Sequence, residues 1–485
     1  MKKILLPILL SFILLSCLKK PDSEIEKLDV QANIYPDYTN ILVPYNIAPL
    51  NFKIEERGEA FIVRILEDNG KKNEFTSSDG VFKFPERKWR SILKRNKNKN
   101  ISFEVLVKQE NKWSQYATFQ NKVSGEEVDP YLYYRILYPG YESWAEISIV
   151  QRSMESFDET PVIKNNVVGQ NCVNCHAFNS KNPNNFLFHM RGSLGGTYFL
   201  NEGDLEKFNL KTKQMKNGAV YPRWHPSGNF VAFSSNKIMQ QFHAANEKKI
   251  EVSDLNSTLV LYDVKKNSMM NIPVDINKEF MDTYPEWSPD GRYLYFCRAK
   301  QTVEGYDYRD IKYNLYRVSF NEGSRLFGVP ELVYDAAKNG KSVSFPRISP
   351  DGSKLVFTYH DYGCFSIWHK EADLYTVDLN KLSVKKCELN SDFSESYHSW
   401  SSNSKWMVFS SKRGDGLTAR PYISYINKNG NASKPFVLPQ KDPEFYKAFI
   451  KTFNIPEFAQ AEINFNPETI REAASKNAIQ ASWSK

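Results

Sequence analysis

Cysteine is scarce in this chain, with six in 485 residues. That is far too few for a disulfide-stapled scaffold. Glycine and proline are sparse too, at 22 and 24 residues, which excludes a collagenous or low-complexity chain. No apolar run is long enough to span a membrane, and the mean hydropathy of −0.53 excludes a polytopic membrane protein. The charge excess is small, +8 from 64 basic and 56 acidic residues. It is not gathered into one dense tract, so no nucleic-acid partner is expected. What the chain does have is aromatics, 14% of residues, with 32 Phe, 27 Tyr and 9 Trp. That composition suits β-sheet better than a helical bundle. The length allows two or three domains, or one large all-β domain that takes most of the chain.

The N-terminus opens with Lys2-Lys3, followed by an apolar stretch from Ile4 to Ser16. Thirteen residues cannot cross ~30 Å of hydrocarbon as a helix, so the segment reads as a secretory signal. It ends Leu14-Leu15-Ser16-Cys17, which resembles a bacterial lipoprotein lipobox with Cys17 as the acylated residue. Leu15 departs from the commonest residue at its position. Lipidation would tether a soluble domain to a membrane surface. The polar stretch Lys19 to Asp29 suits a tether. The mature chain is then expected in the cell envelope, at the outer membrane on its periplasmic or surface face, where thiols are commonly oxidised.

Residues 172–176 read Cys-Val-Asn-Cys-His. C-x-x-C-H is the c-type heme attachment signature, with two thiols for the porphyrin vinyl groups and an adjacent His as axial ligand. From six Cys and seven His, chance occurrence is on the order of one in a thousand per chain. The plainer reading is a disulfide or half a zinc site, but no second C-x-x-C supplies the remaining zinc ligands. One covalent heme c is therefore expected, bound by Cys172, Cys175 and His176 in a loop over 171–192. Arg191 is a candidate partner for a propionate. The sixth ligand is expected to be His189, with Met190, His225 and His398 as alternatives, or the site is open. His189 and Met190 are adjacent on an expected strand, so only one of them can face the heme.

Four stretches align in register. They are Y-P-R-W-H-P-S-G-N-F-V-A-F-S-S-N (221–236), Y-P-E-W-S-P-D-G-R-Y-L-Y-F-C-R-A (284–299), F-P-R-I-S-P-D-G-S-K-L-V-F-T-Y-H (345–360) and Y-H-S-W-S-S-N-S-K-W-M-V-F-S-S-K (397–412). Each joins an aromatic, a turn and a short strand, with a second strand following at 258–264, 314–320, 373–379 and 420–426. Units of this size must pack side by side to bury their faces. They closely resemble the TolB-like β-propeller repeat over residues ~220–430. The last unit departs from the motif, with S-S-N-S in the turn. The heme segment fits the same strand order, so ~171–213 is expected to be a further blade whose turn has become the heme loop. That makes five visible blades, and the resemblance implies six, with the missing strands from 126–150 or 436–450. A C-x-x-C-H motif ahead of such repeats, behind a lipoprotein signal, also resembles a group of propeller lipoproteins of Bacteroidetes-type bacteria. It implies an envelope heme protein with no known substrate.

The expected layout is a signal peptide (1–16), a tether (17–27), a small β-sandwich-like domain (28–125), an aromatic-rich connector (126–170), the propeller (171–440) and a helical tail (441–485). The fold class is all-β. The basic stretch Lys94 to Lys99 reads as a solvated loop or hairpin tip. Cys364 and Cys387 flank one blade and could pair, whereas Cys297 reads as a buried free thiol. No catalytic residue is assigned, and no G-x-S-x-G elbow occurs. Three functions follow. The first is a heme protein for electron transfer or redox sensing with an unidentified redox or envelope partner. The second is a non-enzymatic scaffold in which heme is structural, and the third is an open-site, peroxidase-like heme enzyme.

Overall fold

The computed structural model describes residues 25–140, 146–169, 171–201, 203–215, 217–243, 248–303, 305–464 and 467–484. The signal segment and Cys17 lie outside the described residues. Among the described residues no helix is long and apolar enough to cross a membrane.

The repeats pair into antiparallel four-stranded blades, each with the repeat's turn between its two innermost strands. The third blade holds Ala219–Trp224, Phe230–Phe242, Ile250–Asp263 and Ser268–Asn271, and the fourth holds Phe280–Trp287, Tyr293–Lys300, Asn314–Asn321 and Glu331–Tyr334. The fifth runs Ser342–Ile348, Lys354–His360, Asp373–Asp378 and Ser383–Lys386, and the sixth Glu395–Trp400, Trp406–Ser411, Arg420–Tyr425 and Phe436–Val437. The segment with the C-x-x-C-H motif forms the second blade: Cys172–Asn179, Asn182–Arg191, Gly196–Asn201 and Asp204–Asn209. Innermost strands of successive blades pack against one another, so the chain forms a six-bladed all-β propeller. The turn of the sixth blade forms despite its sequence. Ser404 N donates to Ser401 O at 3.0 Å, as Gly291 N does to Ser288 O at 2.8 Å. Ser404 takes the left-handed conformation (φ 62°) that Gly291 takes at 71°.

Three expectations are corrected here. Residues 126–170 are not a connector, because Tyr131–Leu137, Ser148–Ser153 and Glu159–Lys164 are the outer strands of the first blade. Its innermost strand is Thr452–Ala459, which pairs antiparallel with Tyr131–Leu137 and closes the ring. The helical tail is correspondingly reduced to Phe445–Ala448 and Pro467–Ser475. A short apolar run such as F-Y-K-A-F-I-K-T-F carries no period that separates strand from helix. Beyond the second helix, Ile479–Gln480 and Ser482–Trp483 pair with the outer strands of the second and third blades and cover both edges. Residues 171–192 are likewise not a loop: they form a strand hairpin.

The N-terminal region has a seven-stranded and a three-stranded sheet, together with a helix that the strand pattern did not anticipate, Glu86–Arg95. Trp89, Ile92 and Leu93 recur at helical spacing and are buried, and Glu86 and Arg95 suit the two ends of its dipole. Lys94 and Arg95 end this helix and residues 96–99 form the turn after it, so the basic stretch is a helix end and loop rather than a hairpin tip, with Arg95 paired to Glu67 at 2.6 Å and Lys99 to Asp68 at 2.8 Å. The core of this region continues into the first and sixth blades through Leu132, Tyr134, Trp406 and Phe453.

Candidate functional site

Every innermost strand carries a register shift at the same place, and each shift has one non-glycine residue in the left-handed region. These residues are Cys175 (φ 51°), Tyr221 (53°), Tyr284 (52°), Phe345 (51°), Tyr397 (52°) and Ile455 (53°). Such bulges re-aim side chains. Four of the six positions hold aromatic rings in sequence, with centroids 4.4 Å apart for Tyr221–Tyr284, 4.1 Å for Tyr284–Phe345 and 4.9 Å for Phe345–Tyr397. Cys175 and Ile455 take the other two. The second Cys of the heme motif thus replaces the repeat aromatic. His176 replaces the proline that follows it at Pro222, Pro285, Pro346 and Pro456.

The bulge residues border a central cavity of about 420 Å³, which lies in the size range of small-molecule sites. Two residues beyond each bulge stand Ala177, Arg223, Glu286, Arg347, Ser399 and Glu457, which collect charge around the cavity. Glu286 pairs with Arg223 at 2.9 Å and with Arg347 at 3.5 Å. Lys181, from the turn of the second blade, reaches Glu457 and Ser399, each at 3.0 Å. Burial and the neighbouring Arg223 lower the Arg347 guanidinium to about 9. Burial disfavours the Glu457 carboxylate, but Lys181 and Arg223 outweigh it and hold its pKa below the usual range. Sequence reasoning missed this charged set, although its position within the repeat was visible as a recurring variable site.

His176 lines the cavity and is 3% exposed, and neither ring nitrogen has a hydrogen-bond partner in the protein. Burial pushes its imidazole down to about 4, so it stands neutral at pH 7. Cys175 lines the same cavity, but Cys172 is not among its lining residues. The Cys172 sulfur instead accepts from Asn174 Nδ2 at 2.8 Å, and its residue lies opposite Arg191 across the hairpin. All five described cysteines are free thiols. Among the described residues no group of three His, Cys, Asp or Glu side chains is placed to hold a metal ion.

The other named residues separate. His398 lines the cavity. Its Nε2 donates to Val356 O at 2.8 Å while Nδ1 is unpartnered in the protein, and burial lowers it to about 3. His225 is occupied at both nitrogens, by Ser227 Oγ at 2.7 Å and Gly291 O at 3.1 Å, and so ties the turn of one blade to the next. His189 bonds Thr197 Oγ1 at 3.3 Å and does not line the cavity. Met190 is buried in the core between the first two blades, and Arg191 is exposed at the hairpin end. Cys364 and Cys387 are not bridged: Cys364 donates to Asp254 at 3.4 Å and Cys387 lies 3.0 Å from Thr376 Oγ1.

No family model matches this chain and no curated protein does. Among solved structures it is similar to TolB from Acinetobacter baumannii, at 14% identity and a TM-score of 0.44 over 74% of this chain and 79% of that one. It is also similar to a hypothetical selenium-binding protein from Sulfolobus tokodaii (9% identity, TM-score 0.39, 73% of this chain and 96% of that one). A third is the Cps50 (Swd1) β-propeller domain of Myceliophteria thermophila (9%, TM-score 0.34, 74% and 95%). The chain's own strand pairing defines its class, a six-bladed β-propeller scaffold fused to an N-terminal β-rich region.

Proposed function

We propose that this chain is a lipid-anchored c-type heme protein of the bacterial cell envelope that serves electron transfer or redox sensing with an envelope partner. The observation that carries the reading is His176. It is a buried, neutral imidazole with both nitrogens unpartnered, on a cavity it shares with the adjacent Cys175. Burying two nitrogens without partners costs stability unless something binds them. In this reading Cys172 and Cys175 would hold the group covalently through their sulfurs, and His176 would offer a ring nitrogen to its iron. The bound group would contribute one-electron chemistry, with its potential set by the axial ligands and the surrounding charge. Attachment at Cys172 requires the strand start that carries it to turn toward the cavity. Of the candidates for the sixth position, His398 is favoured because it lines the same cavity with an unpartnered Nδ1.

The test is expression of the full chain in a bacterium with heme-maturation machinery, followed by a heme stain on denaturing gels and reduced-minus-oxidised spectra. One covalent heme per chain is expected, lost or reduced to a single attachment in Cys175→Ser and spectrally altered in His176→Ala. Wild-type protein without covalent heme from such a host would overturn the reading. A spectrum unchanged by carbon monoxide or cyanide supports His398 as ligand, and a shifted spectrum supports the open-site enzyme.

A further inference from the structure

We propose that Arg347, Arg223 and Lys181 form a binding site in the propeller cavity for the carboxylate of an organic acid. Three cations face two carboxylates there. Arg223 and Arg347 share Glu286, and Lys181 holds Glu457. The Arg347 side chain is 14% exposed, and its contacts are its own neighbour Pro346 O at 2.6 Å and Glu286 at 3.5 Å. The cavity therefore keeps one more cation than carboxylate, largely removed from water, an arrangement that is costly until an anion completes it.

Trp224 and Trp287 line the cavity, and each has an indole N–H, which can only donate, with no acceptor in the protein. The same wall carries unpartnered acceptors at Glu457 Oε2 and His398 Nδ1, so the charge excess rather than the hydrogen-bond count selects an anion. Glu286 and Glu457 belong to the same wall, and their negative charge is already taken up by the cations. A planar guanidinium matches a carboxylate in bidentate fashion. The aromatic surround of Trp224, Trp287, Trp400, Tyr221 and Tyr284 favours an anion with an apolar body over a bare inorganic ion.

The same chemistry has two sources. One is a free small organic acid. The other is the pair of carboxylates on a bound porphyrin, and that source rests on the function proposed above. It would move the propionate contact from the exposed Arg191 to the cavity arginines.

The full chain purified from a host without heme maturation is titrated by calorimetry with benzoate, and with benzamide as its uncharged counterpart. Benzoate is expected to bind at least about tenfold more tightly than benzamide. Arg347→Gln is expected to remove that preference. Because Arg347 is buried, Lys181→Gln on the turn is the second variant, with a several-fold loss for benzoate alone. Equal binding of the two probes, no benzoate binding, or benzoate affinity unchanged in both folded variants would overturn the site. Repeating the titration on heme-loaded chain separates the sources. Exclusion of benzoate assigns the site to porphyrin carboxylates, and retained binding assigns it to a free acid. If no chain takes up heme, the redox reading fails while the heme-free titration still decides this one.

Discussion

Cys175 and Tyr221 hold equivalent positions in neighbouring blades. Each is the left-handed residue of an innermost-strand bulge, at φ 51° and 53°, and each borders the central cavity. The heme-type motif is therefore superposed on the propeller repeat, and the thiol takes the place of a ring that would otherwise help fill the cavity border.

The aromatic run beside it should carry a large share of ring stability. Tyr284 is 1% exposed, lies between Tyr221 and Phe345, and donates its hydroxyl to Cys364 O at 3.1 Å. Tyr284→Ala is expected to cost about 3–5 kcal/mol in denaturant titration. Cys175→Gly, which removes a small side chain at a left-handed position, should change stability by no more than about 1 kcal/mol. Comparable losses in the two variants would show that the aromatic run does not brace the ring.

Glu67 gives a pH test in the N-terminal region. Burial opposes its ionisation, but hydrogen bonds from Arg95, Asn73 and Asn96 outweigh it and lower its pKa to about 2, from the ordinary carboxyl value of 4.5. A depressed folded-state pKa stabilises the fold above the unfolded value and loses that contribution as pH falls through the folded one. About 3 kcal/mol should therefore be present at pH 7 and fade between pH 4.5 and 2. Glu67→Gln should be less stable than wild type at pH 7, and the gap should close across that window. A pH-independent gap would mean that packing, not charge, sets the cost.

The three blade cysteines should be inert in the native protein. Cys297, Cys364 and Cys387 are buried free thiols, and burial raises the pKa of each. Alkylation with iodoacetamide at pH 8 is expected to spare them in folded protein and to label all three after unfolding without reductant. Detection by mass spectrometry of a Cys364–Cys387 peptide would contradict the free-thiol state.

Truncation separates ring closure from edge protection. Ending the chain before Thr452 removes the innermost strand of the first blade, and no cooperatively folded product is expected. Ending it after residue 476 removes only the two short strands on the outer edges of the second and third blades. That product should fold and show increased self-association by light scattering, because two strand edges are uncovered. A folded, monomeric product of the first truncation would refute closure by Thr452–Ala459.

Much of the fold was legible because it repeats. The bulge aromatic and the turn recur at Tyr221, Tyr284, Phe345 and Tyr397, with a proline after the aromatic in the first three, and local chemistry alone makes a strand–turn–strand unit of each. The first blade was legible only in part: 126–150 does hold strand Tyr131–Leu137, but its innermost strand is Thr452–Ala459, beyond 436–450, and no local pattern encodes a pairing across three hundred residues of chain. The helix at Glu86–Arg95 did have a signal, since Trp89, Ile92 and Leu93 lie on one helical face. Its basic end drew attention to charge instead.

The sequence by itself determined the repeat, the C-x-x-C-H motif and the composition of an all-β chain, since each is a property of neighbours along the backbone. Only the tertiary structure decided that the motif lies on an innermost strand rather than a loop, and that His398 shares its cavity while His189 does not. It also decided that Arg223, Glu286, Arg347 and Glu457 meet around one cavity. Those relations arise when six strands distant in sequence are brought side by side, where burial sets the charge of each histidine and leaves its nitrogens paired or unpaired.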